Sequence, residues 1–182
     1  MDIETIENER NKNKIQLEPQ QLLEISKTLP GNFLVFGVGN DTSFWLKANK
    51  GHTIFLEDSH EWYNGIRNNM PHANIRLVEY HTQLKNGHNL LGQDSQLYMN
   101  LDPDILNTKW DTILVDAPPG YKEEHPGRMQ SIYMASRLIK GNGHVFVHDC
   151  DREMEKIYTD KYLMPQNLIE RIGTLNHYKI NK

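Results

Sequence analysis

Five short apolar runs, most of them halted by a glycine or an acidic residue, constrain this chain more than anything else in it. They are Phe33-Leu34-Val35-Phe36, Thr53-Ile54-Phe55-Leu56, Ile75 to Tyr80, Thr112-Ile113-Leu114-Val115 and His144-Val145-Phe146-Val147. The third alternates more than the others. Continuous runs this short suit strands buried on both faces, as in a parallel sheet. Helix-length stretches separate them: Thr42 to Ala48, Glu61 to Asn69 and Arg128 to Ile139. An earlier stripe of Leu22, Leu23, Ile25 and Leu29 follows Pro19, which suits a first helical turn, and stops at Leu29-Pro30-Gly31. After the fifth run come a charged helix, Asp151 to Tyr162, and two pieces, Leu168 to Ile172 and Leu175 to Ile180, that read as an antiparallel closing pair. The alternation predicts an α/β sandwich with right-handed crossovers and ligands at the carboxyl ends of the strands.

Composition bounds the rest. The 182 residues make about one domain, read here as a single unit over 1–182 with residues 1–15 frayed and 16–30 forming an N-terminal helix. Lysine and arginine number 20 against 24 acids, and that near-balance argues against an electrostatic nucleic-acid binder. A lone cysteine, Cys150, excludes an internal disulfide framework and a cysteine-based zinc cluster. No apolar stretch approaches the roughly 18 residues of a membrane span, and the polar first residues do not resemble a signal peptide. The expectation is a soluble, cytoplasmic chain.

The chemistry should therefore lie at the strand ends. The first run opens into Gly37-Val38-Gly39-Asn40-Asp41, where two glycines permit a tight turn and close approach of backbone to a ligand. A dinucleotide fingerprint needs a third glycine at position 42, which is Thr42. The second run ends in Glu57-Asp58, at the spacing of an acid that accepts from ribose hydroxyls, or simply a solvated acidic pair. No phosphate-loop motif occurs. Two glycines without the pyrophosphate glycine fit S-adenosylmethionine better than NAD, because that cofactor carries no phosphate. The closing pair suits the seven-stranded, mostly parallel methyltransferase sheet with helices on both faces, a Rossmann-like class I fold.

Asp116, followed by Ala117-Pro118-Pro119-Gly120, either faces the cofactor or caps the next turn. An alcohol acceptor must lose its proton as a methyl group arrives, so a base or metal should lie nearby. His148 and Asp149 are candidates for that role, and Asp116 with Asp149 could hold a divalent cation. Arg128 closes a polar segment and is either a bidentate anchor for a carboxylate or a surface ion-pair partner. His52, His60, His72 and His177 stand at no recognisable ligand spacing.

Taken together, the pieces resemble the glucuronoxylan 4-O-methyltransferase type of polysaccharide-biosynthesis methyltransferase. They are Asn32 to Gly37, Gly39, Asp41, Trp45, Phe55-Leu56-Glu57, Glu61-Trp62, Tyr80, Thr82 and Trp110-Asp111, then Val115-Asp116-Ala117-Pro118, Gly120-Tyr121, Glu124, Pro126-Gly127-Arg128-Met129 and His148-Asp149. The resemblance runs from about residue 29 to 163 in one order. It implies methyl transfer from S-adenosylmethionine to a sugar hydroxyl, the 4-hydroxyl of glucuronic acid in its characterised members, with a divalent metal as a further expectation. Carried over, Gly37, Gly39, Glu57, Asp58, Tyr80, Thr82 and Asp116 would bind the cofactor. Asp116, His148 and Asp149 would surround the acceptor hydroxyl, and Tyr121, Glu124 and Arg128 would hold a uronic-acid-containing glycan. The plant members carry a membrane anchor and a longer segment before the fourth strand than Leu84 to Lys109. Rival readings are a metal-dependent methyltransferase of small catechol-like hydroxyls, a non-catalytic scaffold binding cofactor or glycan, and, weakest, a NAD-linked oxidoreductase.

Overall fold

The computed structural model describes residues 2–181. The chain runs through α1 (Ile3–Asn13), α2 (Pro19–Ser26), β1 (Phe33–Phe36), α3 (Thr42–Ala48), β2 (Thr53–Glu57), α4 (His60–Asn69) and β3 (Ile75–Leu77). Three short helices follow, α5 (Gly87–Leu90), α6 (Asp94–Leu97) and α7 (Pro103–Asn107). The remainder is β4 (Trp110–Val115), α8 (Met129–Leu138), β5 (Ile139–Val147), α9 (Glu153–Tyr162), β6 (Leu168–Ile172) and β7 (Leu175–Ile180).

The strands form one sheet in the order β3-β2-β1-β4-β5-β7-β6. All pairs are parallel except β5–β7 and β6–β7, so the expected closing pair is present. Every residue of β1 and β2 is buried, which is why both read as unbroken apolar runs. Alternate side chains feed two cores. Leu34, Phe36, Ile113, Val115, Val145 and Val147 pack on one face against α8 and α9, through Met129, Ile132 and Tyr158. Phe33, Val35, Phe55, Leu114 and Phe146 pack on the other against Ile6, Leu22, Phe44 and Trp45 of α1, α2 and α3. None of the helices described is long and apolar enough to cross a membrane.

Two expectations need correction. Residues 3–13 are helical rather than frayed. Asp2 caps α1 by accepting from the Thr5 backbone N–H at 2.9 Å, and Ile6 is fully buried. Two isoleucines, of which only Ile6 is buried, leave no stripe to read in an otherwise polar stretch; tertiary ties fix the helix instead, with Lys47 paired to Glu9 at 2.8 Å and Arg10 Nε donating to Leu17 O at 2.8 Å. The third strand stops at Leu77, so Tyr80 and Thr82 stand on coil beyond it.

Strand order reverses between β1 and β4, which opens a crevice at their carboxyl ends. The ladder continues one step past the strands there. Gly37 N–H donates to Leu56 O at 2.7 Å, Asp116 N–H to Phe36 O at 3.1 Å and His148 N–H to Val115 O at 3.0 Å. Those bonds hold the three strand-end residues side by side.

Candidate active site

A cleft of about 530 Å³ occupies that crevice. Its floor is the glycine turn. Gly37 has φ +114, and a Cβ added to it would lie 2.9 Å from the Ala117 Cβ, so only glycine lets the turn pass the β4 loop. Gly39 N–H donates to Thr42 Oγ1 at 2.9 Å, and Thr42, in the place of a third glycine, ties the turn to the start of α3. The turn is also fastened to β2, because Val38 N–H donates to Glu57 Oε2 at 2.9 Å. The other Glu57 oxygen accepts from Ser59 N–H at 2.7 Å. Burial pushes the Glu57 and Asp58 carboxyls up, and for Glu57 these two backbone donors oppose the rise.

The opposite wall is a charge cage. Arg128 is 5% exposed, and its Nη2 lies 3.1 Å from Asp116 Oδ1, 2.7 Å from Asp149 Oδ2 and 2.9 Å from the Asp116 carbonyl oxygen. Its Nη1 donates to the His148 carbonyl oxygen. Asp149 has φ +60, a left-handed conformation that Asp tolerates, and this places its carboxylate against Arg128. Arg152 Nη2 joins Asp149 Oδ2 from α9's N-terminal side at 2.9 Å. His148 Nδ1 sits 2.9 Å from Asp116 Oδ1, and Nε2 lies 3.0 Å from Thr174 Oγ1. An ionised carboxylate only accepts, so Nδ1 carries the hydrogen and Nε2 takes the Thr174 hydroxyl. Burial alone would lift the Asp116 carboxyl, but the His148 hydrogen bond and the Arg128 charge outweigh it and hold it below the usual carboxylate value.

Asp41 has the opposite state. Burial and the nearby Asp116 charge push its carboxyl up to about 6, against a 2.7 Å hydrogen bond from Trp45 Nε1.

The cleft unites Gly37, Gly39, Glu57, Asp58, Asp116, Tyr121, Arg128, His148 and Asp149, all named from sequence. Tyr80, Thr82 and Glu124 are not among its lining residues. Tyr80 OH accepts from Ser131 Oγ at 3.1 Å in the first turn of α8, and Thr82 Oγ1 donates to Pro126 O at 2.8 Å in the loop leading into it, so both are tied to the α8 entry. Glu124 is exposed. Arg128 is not a free anchor either, because two carboxylates and two carbonyl oxygens already engage it. Asp41 and Trp62, pieces of the family pattern that carried no expected role, line the cleft too, as do Arg152 and the Ile15–Leu17 segment, which the sequence did not mark. Asp41 had a signal, being five residues past the first strand in the glycine turn. The N-terminal segment had none.

The expected metal ligands also meet: donor atoms of Asp116, His148 and Asp149 lie within 4.8 Å of one another. Arg128 stands among them, however. A guanidinium cannot lose its proton, so it already supplies the positive charge these acids need, and a divalent ion would have to displace it. As arranged, the residues do not suit a divalent cation. The cleft does suit S-adenosylmethionine, with a glycine cradle that a Cβ would fill and carboxylates facing it.

An open sheet whose switch point joins a glycine turn, an acid ending β2 and an Asp ending β4 defines the class I S-adenosylmethionine-dependent methyltransferase fold. A solved methyltransferase-like protein from Silicibacter pomeroyi shares it, with a TM-score of 0.59 at 12% identity over 92% of this chain and 88% of that one. The family model IRX15/IRX15L/GXM matches residues 19–99 and 93–178. Arabinogalactan O-methyltransferase 1 of Arabidopsis thaliana is 34% identical over 89% of this chain and 68% of its own length. Glucuronoxylan 4-O-methyltransferase 2 of the same plant is 33% identical over 91% and 67%. The chain belongs to the IRX15/IRX15L/GXM family.

Proposed function

We propose that this protein is a glycan O-methyltransferase using S-adenosylmethionine, and that its acceptor is the 4-hydroxyl of a glucuronic acid residue. The observation that carries the reading is Asp116 at the switch point, facing the same cleft as the glycine turn and Glu57. Relatives named for O-methylation of glucuronoxylan and arabinogalactan support the substrate class.

When bound, S-adenosylmethionine would supply the methyl group, its carbon–sulfur bond breaking with the electron pair left on sulfur as the bond to the sugar oxygen forms. Gly37 and Gly39 would bring backbone close to it, and Glu57 and Asp58 would accept from its ribose hydroxyls. The sugar hydroxyl loses its proton to Asp116. His148 has both ring nitrogens engaged, and Asp149 is committed to two guanidiniums through Oδ2, with its Oδ1 3.5 Å from His148 Nδ1; Asp116 Oδ2 is the carboxylate oxygen of the three residues with neither a hydrogen bond nor an ion pair among the described residues. A carboxylate of low basicity suffices, because the hydroxyl becomes strongly acidic as the methyl group arrives. Arg128 and His148 fix the Asp116 rotamer, so the main contribution is positioning. Tyr121, 69% exposed at the mouth, offers a flat face to a sugar ring. With Arg128 held inside, Arg152, 31% exposed and bound through Nη2 to Asp149, is the other guanidinium lining the cleft and the one to meet the sugar's carboxylate.

Calorimetry with S-adenosylmethionine, its demethylated product and NAD tests the cofactor, and methylation of glucuronic-acid-substituted oligosaccharides against catechols tests the acceptor. Binding of NAD but neither of the first two refutes the cofactor reading. Turnover of catechols alone refutes the acceptor, and cofactor binding without turnover of any hydroxyl favours a scaffold.

A further inference from the structure

The second cluster of metal-type ligands lies away from the cleft, where α2 packs on the β6–β7 pair. It comprises Glu24, Glu170 and His177, whose ligand atoms fall within 4.8 Å of one another. Glu170 and His177 are cross-strand partners in the sheet, and Glu24 reaches them from α2. Gln21 Nε2, donating to Ile172 O at 2.9 Å, fastens the same helix to β6.

The observation that calls for a ligand is His177. Its side chain is 3% exposed, and Nδ1 is buried without a hydrogen-bond partner. Nδ1 faces Glu24 Oε1 at 3.6 Å, beyond hydrogen-bond reach. The other ring nitrogen, Nε2, lies 2.8 Å from His144 Nδ1, so one hydrogen sits between the two rings. If His177 donates it, Nδ1 presents a bare lone pair to a carboxylate oxygen. If His144 donates it, His177 Nδ1–H is a buried donor with nothing in range. Either way a buried polar atom is left unmade, which native structures avoid.

We propose that Glu24, Glu170 and His177 bind one divalent transition-metal ion of the zinc class, which staples α2 to the β6–β7 pair. Two ligands of a tetrahedral ion, each at about 2.0–2.1 Å, stand about 3.4 Å apart, close to the separation already present between Glu24 and His177. Glu170 is exposed and can swing inward on its flexible side chain. The outer shell such sites require is in place. His144 orients the imidazole, stacking on Phe146 at 4.0 Å fixes its plane, and Lys27 holds the second Glu24 oxygen at 2.6 Å. Burial and the neighbouring His144 hold His177 neutral, with its value lowered to about 4, as a metal-binding imidazole must be. No ligand spacing is visible along the chain because the three ligands come from three elements, α2, β6 and β7.

The test is a titration of the metal-free full chain with Co²⁺, followed by visible absorption, and with Zn²⁺, followed by the melting midpoint. The expected result is an absorbing complex with one ion per chain and a midpoint that climbs with Zn²⁺. Glu170→Gln and Glu24→Gln should each weaken Co²⁺ binding at least tenfold while keeping S-adenosylmethionine affinity, which shows an intact fold. Absence of both signals in the wild type overturns the site. So does Co²⁺ affinity that survives both substitutions, since the ion would then sit elsewhere. Neither result bears on the proposed methyl transfer.

Discussion

Replacing Arg128 with Met is the sharpest perturbation of the charge cage. The guanidinium is 5% exposed and lies within 3.1 Å of Asp116 Oδ1 and 2.7 Å of Asp149 Oδ2. Methionine fills similar volume but leaves two half-buried carboxylates facing each other with no counter-charge on that side. Removing one partner of such a buried pair costs about 3–5 kcal/mol, most of it from the orphaned charge. With a urea m-value of about 2 kcal/mol/M for a chain of this size, the unfolding midpoint should fall by about 1.5–2.5 M. Direct Asp149→Asn repair provides the internal control. The double substitution should recover at least about 1 kcal/mol relative to the sum of the singles, because it removes the charge that Arg128 had neutralised. Urea denaturation followed by circular dichroism measures both. A midpoint shift under about 0.3 M with unchanged m, or strict additivity of the two substitutions, would show that solvent rather than Arg128 neutralises these acids, and the cage argument would fail.

Four further outcomes follow from the same geometry. Asp116→Asn should lower kcat by about 10²–10⁴ in a methyl-transfer assay while calorimetry finds the cofactor bound nearly as well; wild-type turnover would remove it as the base. Gly37→Ala should destabilise the turn by about 1–3 kcal/mol and weaken cofactor binding, read from thermal melts and calorimetry, since its φ is +114 and its Cβ would clash with Ala117. Asp41, raised to about 6 by burial and by Asp116, binds a proton more tightly folded than unfolded. Stability should therefore fall as pH rises from about 4 to about 6, and Asp41→Asn should flatten that slope and stabilise by about 1–2 kcal/mol at pH 7; a slope unchanged by the substitution would count against it. Arg152→Gln should raise KM for a uronic-acid acceptor about tenfold with little change in cofactor affinity, and an unaltered KM would take Arg152 out of acceptor binding.

The strands were legible for one physical reason. A parallel sheet covered on both faces makes every residue of β1 and β2 buried, so position in the run, not periodicity, marks the strand. The strand-end acids were legible because chemistry gathers where a run stops, and Asp116, His148, Asp149 and Glu57 do share one cleft. What failed was anything set by side-chain direction at long range. Arg128 precedes a helix, where surface and interior are equally open to it, and the oxygens that turn it inward come from Asp116, His148 and Asp149 at two other strand ends. Tyr80 and Thr82 follow a strand that pairs over only three residues, and past its end the coil turns them towards Ser131 and Pro126. The α1 helix gave too little pattern, with Ile6 its sole buried residue.

The cage also explains how a chain of near-balanced charge handles a cationic cofactor. Among the described residues the cleft is lined by five carboxylates, Asp41, Glu57, Asp58, Asp116 and Asp149, against two guanidiniums, Arg128 and Arg152. Arg128 and Arg152 both bind Asp149, so their charge is concentrated on one wall. Asp41, Glu57 and Asp58 on the opposite wall have no such partner, and a sulfonium compound with a net positive charge is drawn there. Methyl transfer cancels that charge, and the demethylated product is neutral overall. An acidic wall then holds the substrate form more tightly than the product form, by an interaction that persists because it operates in a partly desolvated cleft. Asp41 tunes the same field, since at its value of about 6 it is mostly ionised at neutral pH and loses its charge on mild acidification. Selective electrostatics of this kind need no basic or acidic surplus in the sequence as a whole, only the separation of a guanidinium-bearing wall from an unpaired acidic one.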